Sequence, residues 1–165
     1  MHIYTLRCET LAPLPIGGVF RVFEDPYNLA RLTPPWLHFR LTSKERVEMR
    51  KGAEIDYVIR WLGVPMRWRT VIAEYDPPHL FVDEQVRGPY PLWRHRHTFE
   101  TAAEGTLVRD RVDYALPFGV LGRAAHAMLV GAQLRRIFAY RQAKLDELFG
   151  VKSRRLLDPL IARGA

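Results

Sequence analysis

The run Trp93-Arg94-His95-Arg96-His97-Thr98-Phe99 sets two imidazoles two residues apart, in a segment where apolar side chains and arginines alternate. Alternate side chains of an extended strand point to one face, so His95 and His97 share a face with Trp93 and Phe99. Residues 108–114 alternate in the same way and put Asp110 among Val108, Val112 and Tyr114. Imidazole titrates near neutrality, and a carboxylate can hold it in one orientation. His95, His97 and Asp110 are therefore candidates for moving a proton, polarising a carbonyl, or orienting the polar end of a ligand. The plainer alternative is a core pair hydrogen-bonded to Tyr114, Thr70 or Asp110. A His-x-His pair also binds metal when a third ligand converges. Asp110 is the one candidate read for that position, so no metal is expected.

Other chemistries lack their residues. Ser43 and Ser153 both stand in charged stretches, not on the tight Gly-flanked turn of an esterase nucleophile. Cys8 is the single cysteine, so it makes no internal disulfide. Gly17-Gly18 is followed by no Gly-Lys-Ser/Thr, and no dinucleotide fingerprint occurs. No cofactor is expected.

The elements that position these groups can be read along the chain. Residues 2–10 read as a first strand. Residues 16–24 predict a short helix burying Val19, Phe20 and Phe23, and Asp25-Pro26 predicts a second, with Leu29 and Leu32 inward until Thr33-Pro34-Pro35. Six alternating segments follow, around 37–41, 55–61, 66–72, 80–86, 93–99 and 108–114. Short turns at Gly63, Gly88 and Gly105 make them an antiparallel meander. In 80–86 two registers remain open: Phe81 inward with Asp83 and Gln85, or Glu84 inward. From Val120 to Phe149 nothing breaks a helix, and Gly150 caps it. At 1.5 Å per residue it spans ~45 Å. Its apolar stripe is Val120, Ala124, Ala127, Gly131, Leu134, Phe138, Arg141, Leu145 and Leu148. The small residues of its first half predict space between helix and sheet.

Strand, two short helices, six-strand meander and closing helix resembles the order of the helix-grip superfamily, which holds the START lipid-transfer domains, the birch-pollen allergen family and the polyketide cyclase/dehydrase proteins. Within it the chain is similar to bacterial single-domain ligand-binding members. The resemblance runs over residues 2–150 through Trp61-Leu62-Gly63-Val64-Pro65, Asp76-Pro77-Pro78, Gly88-Pro89-Tyr90, residues 93–99 and Leu116-Pro117-Phe118-Gly119. It implies an α+β helix-grip fold: a curved antiparallel sheet of about seven strands, two short helices, and a long C-terminal helix over the concave face. It also implies an internal hydrophobic cavity opening between the start of that helix and the turns near Gly63 and Gly88.

On that reading Tyr57, Trp61, Trp68, Trp93, Phe99, Tyr114, Leu121 and Met128 supply apolar wall, and His95, His97 and Asp110 meet the ligand's polar end. The expected function is binding of a hydrophobic or aromatic small molecule that is lipid-, polyketide- or isoprenoid-like. Aromatics at strand spacing equally suit plain core. The alternatives are a cyclase, dehydratase or aromatase using His95 or His97 as acid and base, and an interaction module on the outer face. The outer alternates include Arg67, Arg69, Arg94, Arg96, Arg109 and Arg111, broken by Glu84, Glu100 and Asp113. That face suits an RNA, an anionic lipid or an acidic protein, but it has no interleaved aromatics for base stacking, so nucleic acid is not expected.

The length of 165 residues fits one domain, taken as residues 1–150, with 151–165 as a loosely held basic tail suited to peripheral membrane or partner contact. A composition of 48% apolar and 26% charged residues, with net charge +7, is that of a globular protein. No apolar run reaches a membrane span, so a cytoplasmic setting is expected. One asparagine and abundant proline lean toward a thermophile. Oligomeric state is left open.

Overall fold

The computed structural model describes residues 1–43 and 47–163. The side chains of residues 123, 125, 127 and 163 lie outside that set.

Strand β1 (Ile3–Ala12) leads into helices α1 (Ile16–Glu24) and α2 (Asn28–Leu32) and a 3-10 turn, Pro35–Leu37. The meander follows as β2 (Arg40–Leu41), β3 (Glu54–Trp61), β4 (Val64–Asp76), β5 (Leu80–Arg87), β6 (Leu92–Ala102) and β7 (Gly105–Ala115). The chain then forms α3 (Gly119–Ala125), a π-helical turn (His126–Val130), α4 (Gly131–Phe149) and β8 (Arg154–Arg163). The strands make one antiparallel sheet in the order β2-β3-β4-β5-β6-β7-β1-β8. Register slips between β4 and β5, at Arg69/Thr70 and Ile72/Glu74, are bulges of the kind that bend a strand and increase its twist.

Turn chemistry fixes the hairpins. Leu62 and Gly63 both have positive φ, 49° and 80°, which a two-residue primed turn between β3 and β4 requires. Gly105, at φ 136°, holds the β6–β7 turn against β1, and a Cβ there would lie 2.1 Å from the Ala12 carbonyl oxygen. Gly105→Ala is expected to cost about 2 kcal/mol, lowering Tm by roughly 4–8 °C in a thermal melt. An unchanged Tm would show that β1 can yield at this contact.

Four expectations need correction. The strand over 37–41 shrinks to two residues, because Pro34-Pro35 starts a 3-10 turn that ends at His38 with φ 45°. The second helix begins at Asn28 rather than at Asp25-Pro26, which form the turn before it. The closing helix is not one uninterrupted α-helix. A π turn takes up an extra residue, so the segment before it is rotated out of phase with the one after. Val120 and Ala124 are accordingly exposed, and Gly122 and Val130 face inward ahead of the buried residues Gly131, Leu134, Phe138 and Leu145. The side chain of Ala127 lies outside the described set. Finally, residues 154–163 are not a loose tail. They pair with β1 as an eighth strand and edge of the sheet, with Pro159 at a slip in register, where an edge strand tolerates proline. Gly164 and Ala165 lie outside the described residues.

Val130, Leu134 and Phe138 pack on Tyr4, Leu6, Cys8, Val112 and Tyr114, so α4 closes over β1 and β7. Helix α1 packs Phe20 and Phe23 against Phe81 and Phe99. Between these two contacts the sheet and α4 leave a gap, with Leu29 of α2 packed on Ile55 and Ile72 at its side. Among the described residues no helix is long and apolar enough to cross a membrane.

Candidate ligand-binding site

The gap is a cavity of about 530 Å³, within the 300–1,000 Å³ common for small-molecule pockets. The sheet contributes Ile55, Tyr57, Ile59 and Trp61 from β3, Met66, Trp68, Thr70 and Ile72 from β4, and Trp93, His95 and His97 from β6. The helical side contributes Leu121, Gly122, Val130, Leu134, Ile137, Phe138 and Arg141. Trp68 stands edge-on to Trp93 at 5.3 Å and stacks with Tyr57 at 5.7 Å between ring centroids. Burial pushes the Tyr57 phenol up, and the Tyr90 phenol to about 12, so both stay neutral hydroxyls.

Of the residues expected to form the wall, Tyr57, Trp61, Trp68, Trp93, His95, His97 and Leu121 line the cavity; Leu121 does so as an otherwise exposed side chain. Phe99, Asp110, Tyr114 and Met128 do not. Phe99 is spent on core packing against Phe20 and Phe23. Tyr114 packs against Tyr4, and its hydroxyl hydrogen-bonds His126 Nε2 at 2.7 Å. Met128, on the π turn, is 76% exposed. Asp110 lies behind the histidines.

Strand register explains the polar cluster. Asp83 on β5 is paired with His95 on β6, and His97 with Asp110 on β7, which is in turn paired with Cys8 on β1. Because Phe81 points inward, Asp83 does too, while Glu84 turns outward to Arg94; this settles the register of β5. His95 Nε2 hydrogen-bonds Asp110 Oδ1 at 2.9 Å, and His97 Nε2 bonds Asp83 Oδ2 at 3.2 Å. His97 Nδ1 lies 2.7 Å from Asp110 Oδ1, off the direction a hydrogen bond needs. The Cys8 thiol donates to Asp110 Oδ2 at 3.7 Å.

Burial opposes ionisation of both carboxylates, but the imidazoles outweigh it, so Asp83 is lowered and Asp110 lies well below the usual range. Burial and the neighbouring His97 depress His95 to about 4. His97 is raised, since Asp110 and Asp83 overcome the cost of burying its charge. Burial and Asp110 push the Cys8 thiol far up, which leaves it a hydrogen-bond donor rather than a nucleophile.

Two cavity residues left only a faint signal in the sequence. Asp83 was visible only as one of two registers. Arg141 stood in the apolar stripe three residues after Phe138, a charge at an inward position; it enters the cavity with its guanidinium over the Phe23 ring, 5.5 Å from the centroid.

Residues 12–143 match the family model described as polyketide cyclase / dehydrase and lipid transport. No curated protein sequence matches the chain. Among solved structures, the Zhui aromatase/cyclase of Streptomyces sp. R1128 aligns with a TM-score of 0.72 at 14% identity, over 90% of this chain and 94% of that one. A Thermus thermophilus protein aligns at 0.67 and 21% identity, over 88% and 96%. A Nitrosomonas europaea protein aligns at 0.65 and 16%, over 88% and 94%. At these identities the likeness is one of fold.

Proposed function

The chain belongs to the polyketide cyclase / dehydrase and lipid transport family, and from that premise we propose that it binds a hydrophobic or aromatic small molecule, lipid-, polyketide- or isoprenoid-like, in the cavity under α4. The observation that carries the reading is the wall itself: aromatic and aliphatic side chains surround about 530 Å³, with one polar cluster on the floor. Apolar walls supply most of the affinity, and a few convergent polar groups orient the ligand.

The uncharged fluorophore N-phenyl-1-naphthylamine tests this, since it avoids electrostatic attraction to the arginine face. Expected are saturable binding of one fluorophore per chain and its displacement by at least one of a fatty acid, an aromatic polyketide or an isoprenoid alcohol. Fluorescence that rises without saturating would overturn the reading.

One observation favours a second, enzymatic reading. His97, which two carboxylates favour as imidazolium, and His95, depressed to about 4, line the same cavity, giving an acid and a neutral imidazole with separated roles. Replacing both with Phe separates the readings. A carrier changes only its affinity, whereas a cyclase or dehydratase keeps binding and stops releasing ring-closed or dehydrated product.

The outer face gives the interaction module less support. Arg69, Arg94, Arg96, Arg109 and Arg111 are each paired with a carboxylate, among them Asp56, Glu74, Glu84, Glu100 and Asp113. The positive charge is thus largely answered within the sheet.

A further inference from the structure

We infer that Asp83, His95 and His97 form a site for a divalent transition metal of the zinc type, with one coordination position open to the cavity. The site is independent of which hydrophobic molecule the cavity holds.

The third ligand that a His-x-His pair requires is Asp83, on the strand opposite to the one carrying Asp110. One donor atom from each of Asp83, His95 and His97 lies within 4.8 Å of the other two. His95 Nδ1 is 3.7 Å and His97 Nε2 3.2 Å from Asp83 Oδ2. Metal–ligand bonds of 2.0–2.1 Å in a tetrahedron put neighbouring donors about 3.4 Å apart; the two separations from Asp83 fall on either side of that edge, and the two imidazole donors lie within 4.8 Å of each other.

A second, independent observation comes from behind the donors. Asp110 Oδ1 faces the remaining nitrogen of each ring: His95 Nε2 at 2.9 Å and His97 Nδ1 at 2.7 Å. A carboxylate on the far nitrogen is the usual support of a metal-bound histidine, fixing its tautomer and raising its basicity. Here the buried Asp110 accepts a hydrogen bond from His95 Nε2 and lies in ionic contact with His97 Nδ1. It leaves His95 Nδ1 and His97 Nε2 as the nitrogens turned toward Asp83. His95 is 4% exposed, and its Nδ1 makes no hydrogen bond among the described residues.

Imidazole nitrogens select transition metals over magnesium or calcium, and three protein ligands leave the fourth position that ligand-binding zinc sites keep open. The two carboxylates Asp83 and Asp110 match a dication in charge. Arg141, in the same cavity, then adds a positive charge that suits a ligand bearing an anionic oxygen.

The test uses untagged, chelator-stripped full-length chain and Co²⁺ alone. The expected result is one Co²⁺ per chain with the strong visible absorption of tetrahedral cobalt, removed by Zn²⁺ in competition. Asp83→Asn keeps the shape and loses the anionic ligand, so it is expected to weaken binding at least ~10-fold; His95→Gln does the same from the other strand. Far-UV circular dichroism and a thermal melt establish that each variant is folded. Only the weak absorption of six-coordinate cobalt, no stoichiometric binding, or equal affinity in folded Asp83→Asn would overturn the site. N-phenyl-1-naphthylamine binding by the metal-free chain is read in parallel. If the fluorophore binds and cobalt does not, the metal site falls and the cavity reading stands; the reverse removes the cavity reading alone.

Discussion

Replacing Asp110 with alanine is expected to remove about 3–5 kcal/mol of stability, out of the 5–15 kcal/mol a domain usually has. Asp110 is 6% exposed and receives a hydrogen bond from His95 and one from Cys8, with His97 in contact. Truncation takes the acceptor from His95 Nε2 and from the Cys8 thiol, and leaves Asp83 alone to answer the two buried rings. Breaking a buried pair in this way costs more than the pair contributes over a well-packed apolar replacement, because the stranded partners stay buried. Asp110→Asn keeps an acceptor oxygen and should cost clearly less. Urea denaturation followed by tryptophan fluorescence checks both. A loss below about 1 kcal/mol for Asp110→Ala, the range of an ordinary exposed ion pair, would mean that the cluster is far wetter than its burial indicates.

The double variant Ile59→Trp/Ile137→Trp is expected to weaken N-phenyl-1-naphthylamine binding at least ~100-fold, or ~2.7 kcal/mol, while changing Tm by only a few degrees. Ile59 stands on β3 and Ile137 on α4, on opposite walls, and both side chains border the cavity. An indole added at each occupies the space a ligand needs. In a packed core the same enlargement would cost about 1–3 kcal/mol per site, so retained stability is itself evidence of empty volume. Strong destabilisation, or undiminished binding, would contradict the assignment of this cavity as the ligand site.

How much of this was legible in the sequence differs by element. Period-two alternation located β3 to β7 because each buries one face against helices and cavity, and α1 appeared at its observed bounds because Val19, Phe20 and Phe23 fall on one side. The π turn was not legible: it shifts phase by one residue without leaving any breaker between Val120 and Phe149. Strand β8 was hidden because an edge strand buries little. Its Arg154, Arg155, Asp158 and Pro159 match solvated tail composition as well as they match an edge.

Site residues followed the same logic. Alternation set His95, His97 and Asp110 on one face, but it could not say which of them reaches open space. Asp110 sits behind the two rings and Phe99 under α1, a distinction set by depth across three strands and a helix. Asp83 depended on the register of β5, which Phe81 decides by packing against Phe20 and stacking on His97 at 4.2 Å.

The central claim is that the hollow between sheet and α4 is where the ligand goes. Isotope-filtered nuclear Overhauser spectra of the labelled chain saturated with unlabelled N-phenyl-1-naphthylamine test it directly. Cross-peaks from the naphthalene protons to the indoles of Trp68 and Trp93 and to the methyls of Ile137 are predicted. Cross-peaks confined to the side chains of the arginine-bearing outer face would contradict it.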